Sequence, residues 1–103
     1  MSIFNQFFGG SQAVDLKPII EEGAFLVDVR TPAEFSQENV KGSVNIPLDS
    51  LTSQLQKFKD KKNIVVFCRS GSRSGQAKII LEQNGFKNVI NGGTWEEVSQ
   101  YVK

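Results

Sequence analysis

Cys68 is the only cysteine in the chain, and Arg69-Ser70-Gly71-Ser72-Arg73-Ser74-Gly75 follows it directly. A thiol reacts as its thiolate, and nearby cations or a helix N-terminus lower a cysteine pKa from about 8.5 to roughly 3.5–7.5. This loop offers both kinds of stabilisation. The guanidinium groups of Arg69 and Arg73 carry fixed charge on forked donors. Gly71 and Gly75 let the backbone curl, so that the N–H groups of residues 69–74 can converge on one anion. The chain has no histidine, which removes an imidazole base, a Cys-His or Ser-His pair and an HExxH zinc site. One cysteine also rules out an internal disulfide, a CxxC redox pair and a multi-cysteine zinc cage. Sulfur chemistry here needs an outside partner. A lone cysteine ending an apolar strand can also be a small core residue, but the Arg- and Gly-bearing loop favours a nucleophile. A phosphate loop without cysteine chemistry is the weaker alternative, because the Gly-Lys-Ser pattern of nucleotide P-loops is missing.

Charge is concentrated around this loop. The stretch from Lys61 to Leu81 carries Lys61, Lys62, Arg69, Arg73 and Lys78 and no acid, leaving seven basic against eleven acidic residues elsewhere. The net charge of +1 therefore conceals a polarised chain. It gives no global basic field, which argues against a dedicated nucleic-acid binder. A length of 103 residues, 39% of them hydrophobic and 22% charged, fits one globular domain. No stretch approaches the roughly 20 apolar residues of a membrane span, and the start MSIFNQFFGG lacks the pattern of a secretory signal. A reducing cytoplasm is the expected location.

Short apolar runs alternate with helical periods, the pattern of an α/β domain. Asp15 can cap a helix through Glu22 with Leu16, Ile19 and Ile20 on one face, and Gly23 suits its end. Phe25 to Val29 reads as a buried strand. Thr31-Pro32 predicts a helix start, with a short turn through Phe35. Val44 to Ile46 reads as a second strand, ended by Pro47. Ser50 can cap a helix with Leu51, Leu55 and Phe58 on one face, with Lys57 to Lys62 a polar connection. Ile64 to Phe67 is β-branched and has no polar position, as expected of a central parallel strand buried on both faces. Cys68 ends it. The next helix carries Ala77, Ile80, Leu81 and Asn84 and stops at Gly85. Lys87 to Ile90 predicts a strand, Gly92-Gly93 a turn, and Thr94 the cap of a last helix burying Trp95, Val98 and Val102. Strand, CRSGSRSG and helix thus place Cys68 at the carboxyl end of the sheet, where ligands bind in open α/β folds.

Four patches carry a resemblance to the single-domain rhodanese family: FLVDVRTPAEF at 25–35, VKGSVNIP at 40–47, IVVFCRSGSRSG at 64–75 and VINGGTWEE at 89–97. The resemblance implies an α/β fold, a rhodanese-like single domain with a mainly parallel central sheet flanked by helices on both faces. It also implies a sulfurtransferase that forms a persulfide on Cys68. The donor would be thiosulfate or a related anion, and the acceptor cyanide, a thiol or a protein. No metal or organic cofactor is implied. The amides from Arg69 through Ser70, Gly71, Ser72 and Arg73 to Ser74 match the family's cradle around the persulfide. Arg69 and Arg73 would hold the anionic donor or brace the loop. Asp28 and Arg30 match the family's D-x-R, expected to support the strand end as an ion pair, with Glu34 a further partner, or to meet substrate. Asn39 stands where the family often has histidine. An amide keeps a hydrogen bond but cannot titrate, so activity is expected to survive the change.

Two other readings compete. Cell-cycle phosphatases and arsenate reductases of similar fold separate cysteine and arginine by five residues, whereas four lie between Cys68 and Arg73. The shorter loop suits one sulfur atom rather than a tetrahedral oxyanion. A persulfide carrier that turns over only with a specific partner is the non-enzymatic alternative. Residues 1–10 form an apolar arm with Ile3, Phe4, Phe7 and Phe8, expected to cover the core of the domain at 11–103 or to dock a partner.

Overall fold

A computed structural model describes residues 15–102. The expected arm at 1–10 and the first residues of the domain lie outside them. In chain order the elements are α1 (Leu16–Glu21), β1 (Phe25–Asp28), α2 (Pro32–Gln37), β2 (Val44–Asn45), a 3-10 segment (Leu48–Phe58), β3 (Ile64–Cys68), α3 (Ser72–Gln83), β4 (Val89–Thr94) and α4 (Trp95–Ser99). The four strands form one parallel sheet in the order β2-β1-β3-β4.

Strand β3 is the centre, paired to β1 and β4, and every residue from Ile64 to Cys68 has zero exposure. Its β-branched run suits a strand with neighbours on both edges and helices on both faces. The period of two sends Ile64, Val66 and Cys68 to one side, against Leu51, Phe58, Ala77 and Leu81 of the 3-10 segment and α3. Val65 and Phe67 go to the other, against Leu16 of α1 and Val98 of α4. Burying a side chain such as Phe67 contributes about 1.5–3 kcal/mol, so each face is a substantial part of the core.

The local signals act as their chemistry requires. Asp15 caps α1 by accepting from Lys17 N–H, and Gly23 ends that helix at φ +93°. Thr31 and Thr94 each cap a helix through a reciprocal capping box, with Glu34 and Glu97 at the third helical position.

Three expectations need correction. Ser50 does not cap a helix: the 3-10 segment starts directly after Pro47, and Ser50 N–H donates back to Pro47 C=O at 3.0 Å. The tighter i→i+3 winding begins early and breaks at Gln54, yet still buries Leu51 and Phe58. Gly92-Gly93 is not a turn but part of β4, where the register jumps from Val66↔Asn91 to Phe67↔Gly93 and leaves Gly92 as a bulge. A Cβ at Gly92 would lie 2.8 Å from Val65 Cγ1 and 2.9 Å from Val98 Cγ2, so any side chain here forces its neighbours to shift. Val102 lies beyond α4, which ends at Ser99; Val102 and Trp95 are half-buried against the α1–α4 side of the core while Val98 is fully buried.

The topology prepares a crevice. From β1 the chain leaves toward β2, and from β3 it leaves the opposite way toward β4. The loops after these adjacent strands diverge at their carboxyl ends, and Asp28 and Cys68 are the terminal residues there.

Candidate active site

Cys68 Sγ lies beneath the loop that joins β3 to α3. Gly71 takes a left-handed conformation, φ +94°, which turns its N–H onto the sulfur at 3.0 Å. Ser74, in the first turn of α3, points its N–H at Sγ from 3.4 Å and its hydroxyl oxygen lies 3.5 Å away. Burial pushes the Cys68 thiol up; hydrogen bonding from Ser74, then from the N–H groups of Ser70 and Gly71, pushes it down and prevails, so the pKa falls below the usual thiol value. Ser72 and Arg73 are the first residues of α3, where backbone N–H groups have no intrahelical acceptor. The loop therefore presents a positive rim over a stabilised sulfur.

The arginines are unequal. Arg73 donates from Nη1 to Glu34 Oε1 at 2.8 Å and from Nη2 to Oε2 at 3.1 Å, a two-pronged clamp onto α2. Arg69 is 67% exposed and touches the same carboxylate only at 3.5 Å through Nε. Bonding from Arg73 and from Thr31 N–H holds Glu34 well below the usual carboxylate range, and Glu34 in turn raises Arg73. Sequence reasoning placed Glu34 with Asp28 and Arg30 and missed this role. The available signal was the Thr31-x-x-Glu34 capping box, which fixes that carboxylate at the N-terminus of α2.

Asp28 and Arg30 form the expected ion pair, 2.7 Å between Nη2 and Oδ2 with both side chains buried. Arg30 also donates to Glu38 C=O at 2.7 Å and lies over the Trp95 ring at 5.2 Å. Asn45 Nδ2 donates to the carbonyls of Asp28 and Arg30, tying β2 to the end of β1. The pair supports the strand end, and Glu34 is not part of it. Asn39, at the position that is often histidine, donates to Phe35 C=O at 2.9 Å and closes α2.

Asn91, unlike Glu34, carries no signal in the sequence that marks it for the site. From β4 its Nδ2 donates to Gly71 C=O at 3.2 Å, while its Oδ1 accepts from Gly93 N–H at 2.9 Å and the Ser74 hydroxyl at 2.7 Å. The β4 bulge brings Gly93 against Gly71, so Asn91 fastens the cysteine loop to the next strand. Among the described residues, no group of three or more His, Cys, Asp or Glu side chains could hold a metal.

The Rhodanese-like domain family matches residues 12–98, most of the chain and all of this loop. The chain belongs to the rhodanese-like domain family. Thiosulfate sulfurtransferase PspE of Escherichia coli is 37% identical to this rhodanese-like chain over 75 residues, covering 71% of it and 72% of the relative. A sulfurtransferase of Allochromatium vinosum is 36% identical over 70 residues, covering 68% of the chain and 65% of the relative. A solved structure described as a rhodanese with anions from E. coli superposes with a TM-score of 0.66 at 36% identity, covering 73% of this chain and 91% of that one. The rhodanese-like fold expected from the sequence is thus the one the chain adopts.

Proposed function

We propose that this rhodanese-like protein is a thiosulfate-type sulfurtransferase working through a Cys68 persulfide. The observation that carries the reading is the sulfur cradle: Gly71 N–H at 3.0 Å and Ser74 N–H at 3.4 Å aim at a buried Sγ whose pKa is lowered. Donors fixed in this way stabilise a sulfur anion without reorganising, and they serve thiolate and persulfide alike.

The Cys68 thiolate attacks the outer sulfur of thiosulfate. A new sulfur–sulfur bond forms, and the bond to the sulfonate sulfur breaks, so that sulfite leaves with its electron pair. An acceptor nucleophile, cyanide in a simple assay or a thiol or protein thiol otherwise, then attacks the outer persulfide sulfur and returns Cys68 as thiolate. Because Cys68 is the only cysteine, no internal thiol can take this sulfur. Arg69, exposed and loosely paired, binds the anionic donor, whereas Arg73 braces the loop through Glu34. No metal or organic cofactor takes part. An unpaired thiolate of this kind suits a reducing compartment, and we place the protein in the cytoplasm. Among the described residues, no helix is long and apolar enough to cross a membrane.

Steady-state turnover of thiosulfate and cyanide tests the reading. Thiocyanate should form with wild type and not with Cys68→Ser. Turnover of a phosphate monoester exceeding sulfur transfer would overturn it.

A further inference from the structure

The hydrogen bonds around Ser74 can be counted to completion, and they place its proton. The hydroxyl has one hydrogen and three acceptors in reach: Asn91 Oδ1 at 2.7 Å, Gly71 C=O at 3.1 Å and Cys68 Sγ at 3.5 Å. The Gly71 carbonyl already accepts from Gly75 N–H at 3.0 Å and Asn91 Nδ2 at 3.2 Å, which fill its two lone pairs. Asn91 cannot turn its amide over. Gly93 N–H meets the same atom that Ser74 does and needs an acceptor there, so the atom facing Ser74 is oxygen and Nδ2 is left to Gly71 C=O. The shortest contact, 2.7 Å, therefore takes the Ser74 proton away from sulfur.

We propose that Asn91 is a positioning residue that turns the Ser74 hydroxyl toward β4 and so leaves the Cys68 sulfur to its backbone donors alone. In the thiol state S–H donates to Ser74 Oγ, whose own proton goes to Asn91. When Cys68 gives its proton to solvent, the hydroxyl can face the anion only by breaking its bond to Asn91. This restraint keeps the thiolate reactive, because nucleophilicity falls as thiol pKa falls and the best attacking thiol has a pKa near ambient pH.

The charged groups on the elements around the sulfur are Arg69 and Arg73 on its own loop, Glu34 from α2 paired with Arg73, the Asp28–Arg30 pair at the end of β1, and Glu97 of α4 against Gly93. Asn91 is neutral, so replacing it leaves these charges in place; it frees the Ser74 proton and one lone pair of Gly71 C=O, and the thiolate, as the anion, draws that proton in preference to the neutral carbonyl.

The inference rests on Cys68 being the reactive thiolate. Its test is the pH dependence of iodoacetamide alkylation for wild type, Asn91→Ala, Ser74→Ala and the double variant. Asn91→Ala should lower the midpoint by about one pH unit and reduce the high-pH plateau rate about threefold. In the Ser74→Ala background, where only the loss of the bonds to Gly71 and Gly93 remains, both changes should be clearly smaller. An unchanged or raised midpoint, or an equal shift without the Ser74 hydroxyl, overturns the proposal. Should Asn91→Ala fail to fold, Asn91→Asp replaces it: the carboxylate holds the proton harder, so its midpoint should rise more with Ser74 present than with Ser74→Ala, and equal rises overturn the proposal. Alkylation needs no sulfur donor, so wild-type failure to take up sulfur would defeat the sulfurtransferase reading and leave this result standing.

Discussion

Arg73 and Glu34 lie 39 residues apart in sequence yet meet through two hydrogen bonds of 2.8 and 3.1 Å, joining the loop over Cys68 to the N-terminus of α2. The carboxylate is itself fixed by Thr31 N–H at 2.9 Å. One side chain therefore caps a helix and braces the reactive loop. The second guanidinium, on Arg69, is left mostly in solvent.

This asymmetry separates the two arginines experimentally. Arg69→Ala should raise KM for thiosulfate several-fold with kcat and melting temperature nearly unchanged. Arg73→Ala should lower kcat and stability together, and Glu34→Ala should resemble it, with about 1 kcal/mol lost from the capping box. Steady-state kinetics beside thermal melts provide the comparison. Equal effects of the two arginine substitutions on KM alone would show that Arg73 binds donor rather than bracing the loop.

The lowered Cys68 pKa has two consequences of known sign. Sulfur uptake should persist below the ordinary thiol range of about 8.5. Stability should also respond. Between the folded pKa and the higher unfolded one, the unfolded chain binds more protons, so wild type gains stability as pH rises through that window and loses it as pH falls through the folded pKa. Urea midpoints of wild type and Cys68→Ser, followed from neutral pH to pH about 9, should diverge in favour of wild type. Parallel curves would mean an unshifted thiol.

The buried pair of Asp28 and Arg30 supports the strand end beside the site. Asp28→Ala would strand the Arg30 guanidinium in the core at a cost of about 3–5 kcal/mol. Denaturant unfolding reads this directly. A loss below about 1 kcal/mol would show that Glu38 C=O and the Trp95 ring suffice for Arg30.

Gly92→Ala places a methyl against Val65 and Val98, where a Cβ would come within 2.9 Å of both. Overpacking of this kind costs about 1–3 kcal/mol. A lower melting temperature is expected, with the bulge and the Gly93–Gly71 contact disturbed and sulfur transfer reduced.

Much of this architecture was legible in the residues, and the exceptions share a cause. The Ile64–Phe67 run identified the central strand because β-branched residues without polar alternation have few other homes. Thr31 and Thr94 marked helix starts because capping is local chemistry. Cys68 with its loop was found because strand, glycine turn and helix follow one another in sequence. The Arg73–Glu34 clamp and the Asn91 link were not visible, since each joins segments that only the folded sheet brings together. Gly92-Gly93 misled for a related reason: paired glycines signal a turn locally, whereas here the requirement is tertiary, a close approach to Val65 and Val98. At Ser50 a good capping residue lost to Pro47, whose carbonyl starts the winding earlier.

The central claim is that Cys68 carries sulfur, and the intact mass of reduced protein before and after thiosulfate tests it most directly. Wild type should gain one sulfur atom, Cys68→Ser none, and cyanide should discharge the gain as thiocyanate. No gain on wild type whose Cys68 still reacts with iodoacetamide, or an equal gain on Cys68→Ser, would contradict the account.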